Sequence, residues 1–260
     1  MNAQDLLKEQ QRWFNSTAGL YLREKEQTLY DQAVVDLFGF NALQMGCLQM
    51  DLLSNSRIPN RFSAAEWDVA TQNNHLCCAD DFLPFAEQSL DLLLLPHRLE
   101  FSRHPHQTLR EAERVLMHEG HLLISGFNPM SAWGAMATLS KTFSSHKTYP
   151  WYGHFIGLTR MKDWLALMGF EIISVQMACY IPPFNKMSWH HYFSFMDKLG
   201  SNMLGGIYFI VAKKRIMGMT PIKPNWKNAS LVSHLVARPT QKDANSKTTT
   251  SIRQNDGLGD

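Results

Sequence analysis

The chain carries 260 residues, 45% of them apolar, with a formal net charge of +2. That length suits one large domain with a tail and excludes two comfortable domains. No apolar run reaches the roughly 18 to 20 residues of a membrane span, and Met1-Asn2-Ala3-Gln4-Asp5 lacks the basic-then-apolar order of a secretory signal, so the reading is of a cytoplasmic protein.

In chain order, Asp5 to Phe14 reads as a short covering helix, with Leu6, Leu7, Trp13 and Phe14 amid polar positions. Leu22 to Phe38 is a second helix, with Leu29, Ala33 and Leu37 on one face and Gly39 as its stop. Asn41 to Leu48 is a short buried strand. A helix and a second strand are expected to follow, with Phe62 to Val69 supplying that strand or the turn after it. Leu76 to Ala79 is a third strand. Leu90 to Leu95 is a fourth, and its apolar run suits burial on both faces.

Pro105 to Leu116 is a helix with Leu109, Ala112, Val115 and Leu116 inward and Pro105 in its first turn. Glu119-Gly120 stops it, and His121 to Ser125 is the fifth strand. Strand, helix and strand in this length make a βαβ unit with a parallel pair. Phe127 to Pro150 reads as a lid or cap. Thr159 to Met168 is a helix capped by Thr159 and stopped by Gly169. Phe170 to Met177 is the sixth strand, and a Trp- and Phe-rich helix follows Pro182-Pro183. Gly206 to Lys213 is the seventh strand. Pro221 to Asp260 lacks apolar periodicity and is expected to be disordered. The chain thus divides into an N-terminal helical cap (1–38), an α/β domain (39–215) and a basic tail (216–260).

Charge follows that division. Lys213 to Asp260 hold nine Lys/Arg and three Asp/Glu, which leaves residues 1–212 at −4. A basic tail can touch nucleic acid or anionic lipid, but the ordinary reading is a solvated tail with no nucleic-acid partner. Cys47, Cys77, Cys78 and Cys179 form neither a CxxC pair nor a zinc spacing. Adjacent Cys77 and Cys78 would point to opposite faces of a strand, so the four read as buried free thiols.

An ordered series runs through the middle of the chain: Leu83-Pro84-Phe85, Ser89-Leu90-Asp91, Leu99-Glu100, Leu109-Arg110-Glu111, Arg114-Val115-Leu116 and Glu119-Gly120-His121. In this series the chain resembles the class I S-adenosylmethionine-dependent methyltransferases of the type 11 group. The match is good over about residues 40–126 and rests on element order alone over 159–213. The resemblance implies a Rossmann-like open seven-stranded sheet with an antiparallel last strand and helices on both faces. It also implies S-adenosylmethionine as cofactor and transfer of its methyl group to a small-molecule acceptor. Glu111 and Arg114, three apart on a helix, read as a structural pair.

The resemblance also assigns site residues. An acidic residue and a Gly-x-Gly-x-Gly turn should follow the first strand, where glycines let the backbone approach the ligand. Here the run is Gln44-Met45-Gly46-Cys47-Leu48-Gln49-Met50, so Gln44 replaces the acid and Leu48 and Met50 replace two glycines. Two readings follow: a remodelled loop that still passes Gly46 close to the cofactor, or a degenerate relative that keeps the fold as a binding or scaffold module. Glu66 stands nearest the place of the acid that grips the ribose. Asp80 or Asp81 stands where the family meets the adenine amino group, which a carboxylate can accept; the alternative is that both cap a turn.

Pro96 and His97 close the fourth strand at its carboxyl end, where open α/β sheets place ligands. His97 is the one candidate for a catalytic role, facing the methyl donor or acting as base on the acceptor; otherwise it packs at the sheet edge. Asn128-Pro129 reads as a turn at the pocket rim. Trp133, Trp151, Tyr152, His154, Trp189, His190 and Tyr192 either line an apolar acceptor site or cover the sheet. His104 with His106, and His190 with His191, lack further ligands at metal spacing. No Gly-x-Ser-x-Gly elbow or Walker loop supports a hydrolase or an NTPase. A nicotinamide-binding Rossmann protein fits the Leu83 to Ile124 series less well.

Overall fold

Leu92 to Leu95 set the central strand. All four are at most 1% exposed, and alternate residues of a strand face opposite ways. Leu93 and Leu95 enter one apolar cluster while Leu92 and Leu94 enter another. Each fully buried leucine contributes about 1.5–3 kcal/mol, so the strand is held from both sides. The computed structural model describes residues 3–65, 76–143, 149–182 and 205–215, all within a single unit spanning Met1–Met217.

Two helices, α1 (Ala3–Phe14) and α2 (Thr17–Val34), precede β1 (Asn41–Met45), β2 (Asn60–Ala65), β3 (Leu76–Cys77) and β4 (Leu90–Pro96). Then come α3 (Pro105–Val115), β5 (Leu116–Phe127), α4 (Ala132–Phe143), α5 (Leu158–Leu167), β6 (Phe170–Ala178) and β7 (Ile207–Lys214). The seven strands lie in the order β3-β2-β1-β4-β5-β7-β6. Strands β1 to β5 pair in parallel, and β7 lies antiparallel between β5 and β6. This is the open α/β sheet expected from the sequence, with its last strand inserted in reverse. Helices α3 and α5 cover one face, while α1, α2 and Trp133 of α4 cover the other. No helix among the described residues is long and apolar enough to cross a membrane.

Several local expectations are corrected. Between β1 and β2 the described chain forms turns rather than a helix, and β2 starts at Asn60. The start of α5 is Gly157, with no side-chain cap, so Thr159 lies inside the helix. Strand β5 begins at Leu116 because that residue pairs with Leu90. The segment 127–150 contains a helix, α4. Cys77 is exposed while the other three free cysteines are buried. The tail and the aromatic run around Trp189 to Tyr192 lie outside the described residues.

Gly39 does not stop α2, which ends at Val34. It makes room for Asp91 instead: a Cβ on Gly39 would stand 2.3 Å from Asp91 Cβ. Asp91 Oδ2 accepts from the backbone N–H groups of Phe40 and Asn41 at 2.8 and 2.9 Å, and Asn41 Nδ2 donates to Ser89 O at 2.9 Å. This knot fixes the base of β1 against β4. At the same end of the sheet, Glu111 pairs with Arg114 at 2.8 Å, and Arg114 donates to the carbonyls of Phe85 and Leu83. Hydrogen bonds to a charged group contribute about 1.5–3 kcal/mol each. Replacing Asp91→Ala removes two of them, both partly open to water, so we expect a loss of about 2–4 kcal/mol in urea unfolding, below the sum of two buried bonds; a loss under about 1 kcal/mol would show that water replaces the carboxylate there.

Candidate functional site

Strand order reverses between β1 and β4, since β2 and β3 lie on one side of that pair and β5 on the other. In open α/β sheets the crevice at such a reversal, beyond the carboxyl ends of the strands, is where ligands bind. The residues there are Gly46 and Cys47 after β1, Pro96 to Glu100 after β4, and Asp80 after β3.

The loop after β1 is built around Gln44. Its side chain is buried, and Nε2 donates to the carbonyls of Gly46, Cys47 and Met50 at 3.2, 3.3 and 2.8 Å. Oε1 accepts from Leu52 N at 3.0 Å. An acid could accept from Leu52 but could not donate to three carbonyls, so the amide suits this loop and a carboxylate does not. The turn itself is made by Gly46 and Cys47, with φ of +92° and +46°. Gly46 N donates to Ala64 O at 2.9 Å, and Cys47 Sγ lies 3.5 Å from Pro96 O. Met50 turns into the core under α2, and Leu48 is half-buried. The places of the two lost glycines are thus taken by half-buried Leu48 and buried Met50, and Cys47 takes the second left-handed position of the turn. A Cβ on Gly46 would touch Arg98 Cδ and Pro96 O at 3.7 Å, ordinary contact distance, so the turn lies close against the end of β4.

His97 has φ of +49°, a strained conformation for a residue with a side chain. It is 2% exposed. Its Nδ1 lies 3.0 Å from Glu100 Oε2, and its Nε2 lies 3.0 Å from Glu26 Oε1. The contact to Glu100 is an aligned hydrogen bond; the contact to Glu26 is an ion pair by distance without that alignment. Glu100 Oε1 accepts from Phe127 N, and the imidazole lies against the Phe127 ring, centroids 4.1 Å apart. Burial disfavours the imidazolium, yet the Glu26 and Glu100 carboxylates outweigh it and push His97 up to about 10. Burial also holds the Glu100 carboxyl above its usual range, with His97 opposing.

Glu26 is the residue the sequence did not announce. It sits on the inward face of α2 with Leu22 and Tyr30, four residues to either side, the spacing of one helical face. Tyr30 extends the same line, its hydroxyl 3.2 Å from Ser125 Oγ.

Asp80 is buried, and its Oδ2 accepts from Arg98 Nε at 3.0 Å. Asp81 is half-buried, and Glu66 lies outside the described residues. The structure thus brings Gln44, Gly46, Pro96 and His97 together, with Asp80 tied to them through Arg98. Asn128 and Trp133 are joined to the strands' return path: Asn128 Nδ2 donates to Gly205 O, and Trp133 Nε1 donates to Ile181 O.

The ion cluster sets a pH dependence. The stability His97 contributes is fully present below its ordinary value of 6.5 and is lost as pH rises through about 10. Glu100 acts in the same direction, since ionisation above the ordinary 4.5 is disfavoured in the fold. We expect the calorimetric unfolding temperature to fall across that alkaline window. Glu26→Gln should move the fall to lower pH, and a flat profile would mean that the ring is neutral.

Comparisons with known proteins follow the same geometry. A family profile described as "Methyltransferase domain" matches residues 53–124. The chain is 31% identical over 210 residues to YafS of Escherichia coli K12, itself uncharacterized, and the alignment covers 79% of this chain and 81% of that one. Among solved structures, a methyltransferase of Thermotoga maritima, described as a possible histamine N-methyltransferase, superposes with a TM-score of 0.59 at 17% identity, covering 82% of this chain and 98% of that one. A methyltransferase of Archaeoglobus fulgidus gives 0.51 at 16%, covering 74% and 94%. The [4+2]-cyclase SpnF gives 0.50 at 16%, covering 74% and 80%. With its strand order, its profile match and this relative along most of both chains, the protein belongs to the class I S-adenosylmethionine-dependent methyltransferases.

Proposed function

We propose that the chain transfers the methyl group of S-adenosylmethionine to a small-molecule acceptor. The observation that supports this is Gly46, half-buried in a left-handed turn beside Pro96 at the reversal of strand order. A ligand edge can approach the backbone there without meeting a Cβ. The cofactor's sulfonium supplies an electron-poor methyl group, so the protein's work is to hold and align two partners.

Each residue then has a role. Gly46 passes beside the cofactor, and Gln44 holds its loop in shape. The Asp80 carboxylate has enough acceptor sites to serve Arg98 and an adenine amino group together; Asp81 is the alternate acid, and Glu66 is the candidate for the ribose hydroxyls. Pro96 and His97 form the floor. A ring with both nitrogens against carboxylates has no free lone pair with which to accept a proton. His97 is therefore a positioning residue rather than a base, and it holds the end of β4 under α2.

A second reading has its own support. Met50 fills core space where the family keeps glycine, and Arg98 already engages Asp80. The neighbour named as a [4+2]-cyclase shares the fold, so the fold alone does not fix the reaction. On this reading the chain is a binding or scaffold module. Calorimetry with S-adenosylmethionine and S-adenosylhomocysteine separates the two. Binding is expected in the wild type, and Gly46→Val should weaken it by about tenfold or more, which is about 1.4 kcal/mol. The absence of heat and of thermal stabilisation at millimolar cofactor would leave the scaffold reading.

A further inference from the structure

Beside the β4 end lies a cavity of about 480 Å³ that the cofactor residues do not line. Its walls come from the loop after β4, the turn after β5, α4, the segment before α5, and the first turns of α5. It therefore opens at the carboxyl end of the sheet, on the side away from β1 to β3. Its charges are all of one sign. Arg103, Lys141 and Arg160 line it with His154, and no Asp or Glu does. This stands against the charge of the surrounding domain, since residues 1–212 carry −4. A concave site lined by one sign of charge concentrates ions of the other.

The cations are held but not neutralised. Lys141 Nζ donates to Gly153 O at 2.8 Å and lies 6.0 Å from the Phe155 ring centroid. The Arg160 guanidinium lies 5.5 Å from the Trp164 ring centroid. A guanidinium on an aromatic face keeps its N–H donors at its edge. Among the described residues, no carboxylate pairs with Arg103, Lys141 or Arg160. The remaining wall combines apolar residues, among them Leu99, Phe155, Ile156 and Trp164, with Ser102 and Thr138. Cationic groups beside apolar ones suit a ligand with an anionic end and a hydrophobic part.

We infer that this cavity binds a small organic anion, a carboxylate or phosphate carried on an apolar body. Resting on the methyl-transfer reading above, it holds the charged end of the acceptor. Leu99, Ser102 and Arg103 of its wall follow His97 within a few residues, so one loop joins the cavity to the floor of the cofactor crevice.

Ligand-detected NMR on the full chain without cofactor tests the cavity by itself. The probes are phenyl phosphate and benzoate, with benzyl alcohol as the uncharged control. One or both anions should bind more tightly than the alcohol, and their order tells phosphate from carboxylate. Arg103→Ala with Arg160→Ala, and separately Lys141→Ala, should weaken the anion by about tenfold while leaving the alcohol unchanged. These side chains are largely exposed, so the unfolding temperature should hold. Equal binding of anions and alcohol, or anion binding indifferent to the substitutions, would overturn the proposal. Cofactor calorimetry on the same variants keeps the two readings apart. Anion binding without cofactor binding would retain the cavity and defeat methyl transfer; cofactor binding without anion binding would do the reverse.

Discussion

The placement of His97 between Glu26 and Glu100 is the contact on which the crevice depends. It joins three parts of the chain distant in sequence: helix α2, the end of β4, and, through Phe127 N, the end of β5. Three ionisable groups buried together are costly to desolvate, and such clusters persist only where partners are close. Here the partners are 3.0 Å away on both sides of the ring. The strained backbone at His97 is held by the same contacts. The cluster therefore fixes where the capping helix sits over the sheet, more than it adds to net stability.

The loop after β1 shows how a family signature can be lost while its geometry is kept. The usual acid would remove the side-chain donor to the carbonyls of Gly46, Cys47 and Met50, of which Cys47 alone would keep a backbone donor, Met50 N, among the described contacts. Gln44 supplies that donor and still accepts from Leu52 N. One glycine then suffices, because the second left-handed residue is Cys47 and the chain drops Met50 into the core under α2. The exchange removes a negative charge from the crevice, beside which Asp80 and Arg98 form an ion pair.

Much of the sheet was legible because buried parallel strands write themselves as apolar runs, and Leu92 to Leu95 is such a run. The seventh strand could be read because Ile207 to Ala212 is equally apolar, while its reversed direction was implied only by the family resemblance. The cap over the crevice was harder. Leu29, Ala33 and Leu37 suggested the inward face of α2, yet they are only partly buried, and the fully buried line is Leu22, Glu26, Tyr30 and Val34. A glutamate inside that line reads as a solvent face until His97 is known to lie opposite. Gly39 misled for a similar reason: its need is a long-range approach to Asp91 rather than a local turn. The cationic cavity was not legible at all, since Arg103, Lys141, His154 and Arg160 come from four separate segments.

The reversed last strand has a consequence for the order of assembly. Among the described residues, strand β6 pairs only with β7, and β7 is the link between β6 and β5. Lys214, at the end of β7, donates back to the carbonyls of Glu113 and Leu116 where α3 turns into β5. During synthesis from the N-terminus, β1 to β5 can therefore form a sheet while β6, although already made, has no neighbour. The edge of the domain stays open until residues 207–214 emerge, and one late strand then completes both of its own ladders at once. Such long-range closure is slow relative to local structure, and it leaves an unpaired edge exposed in the meantime.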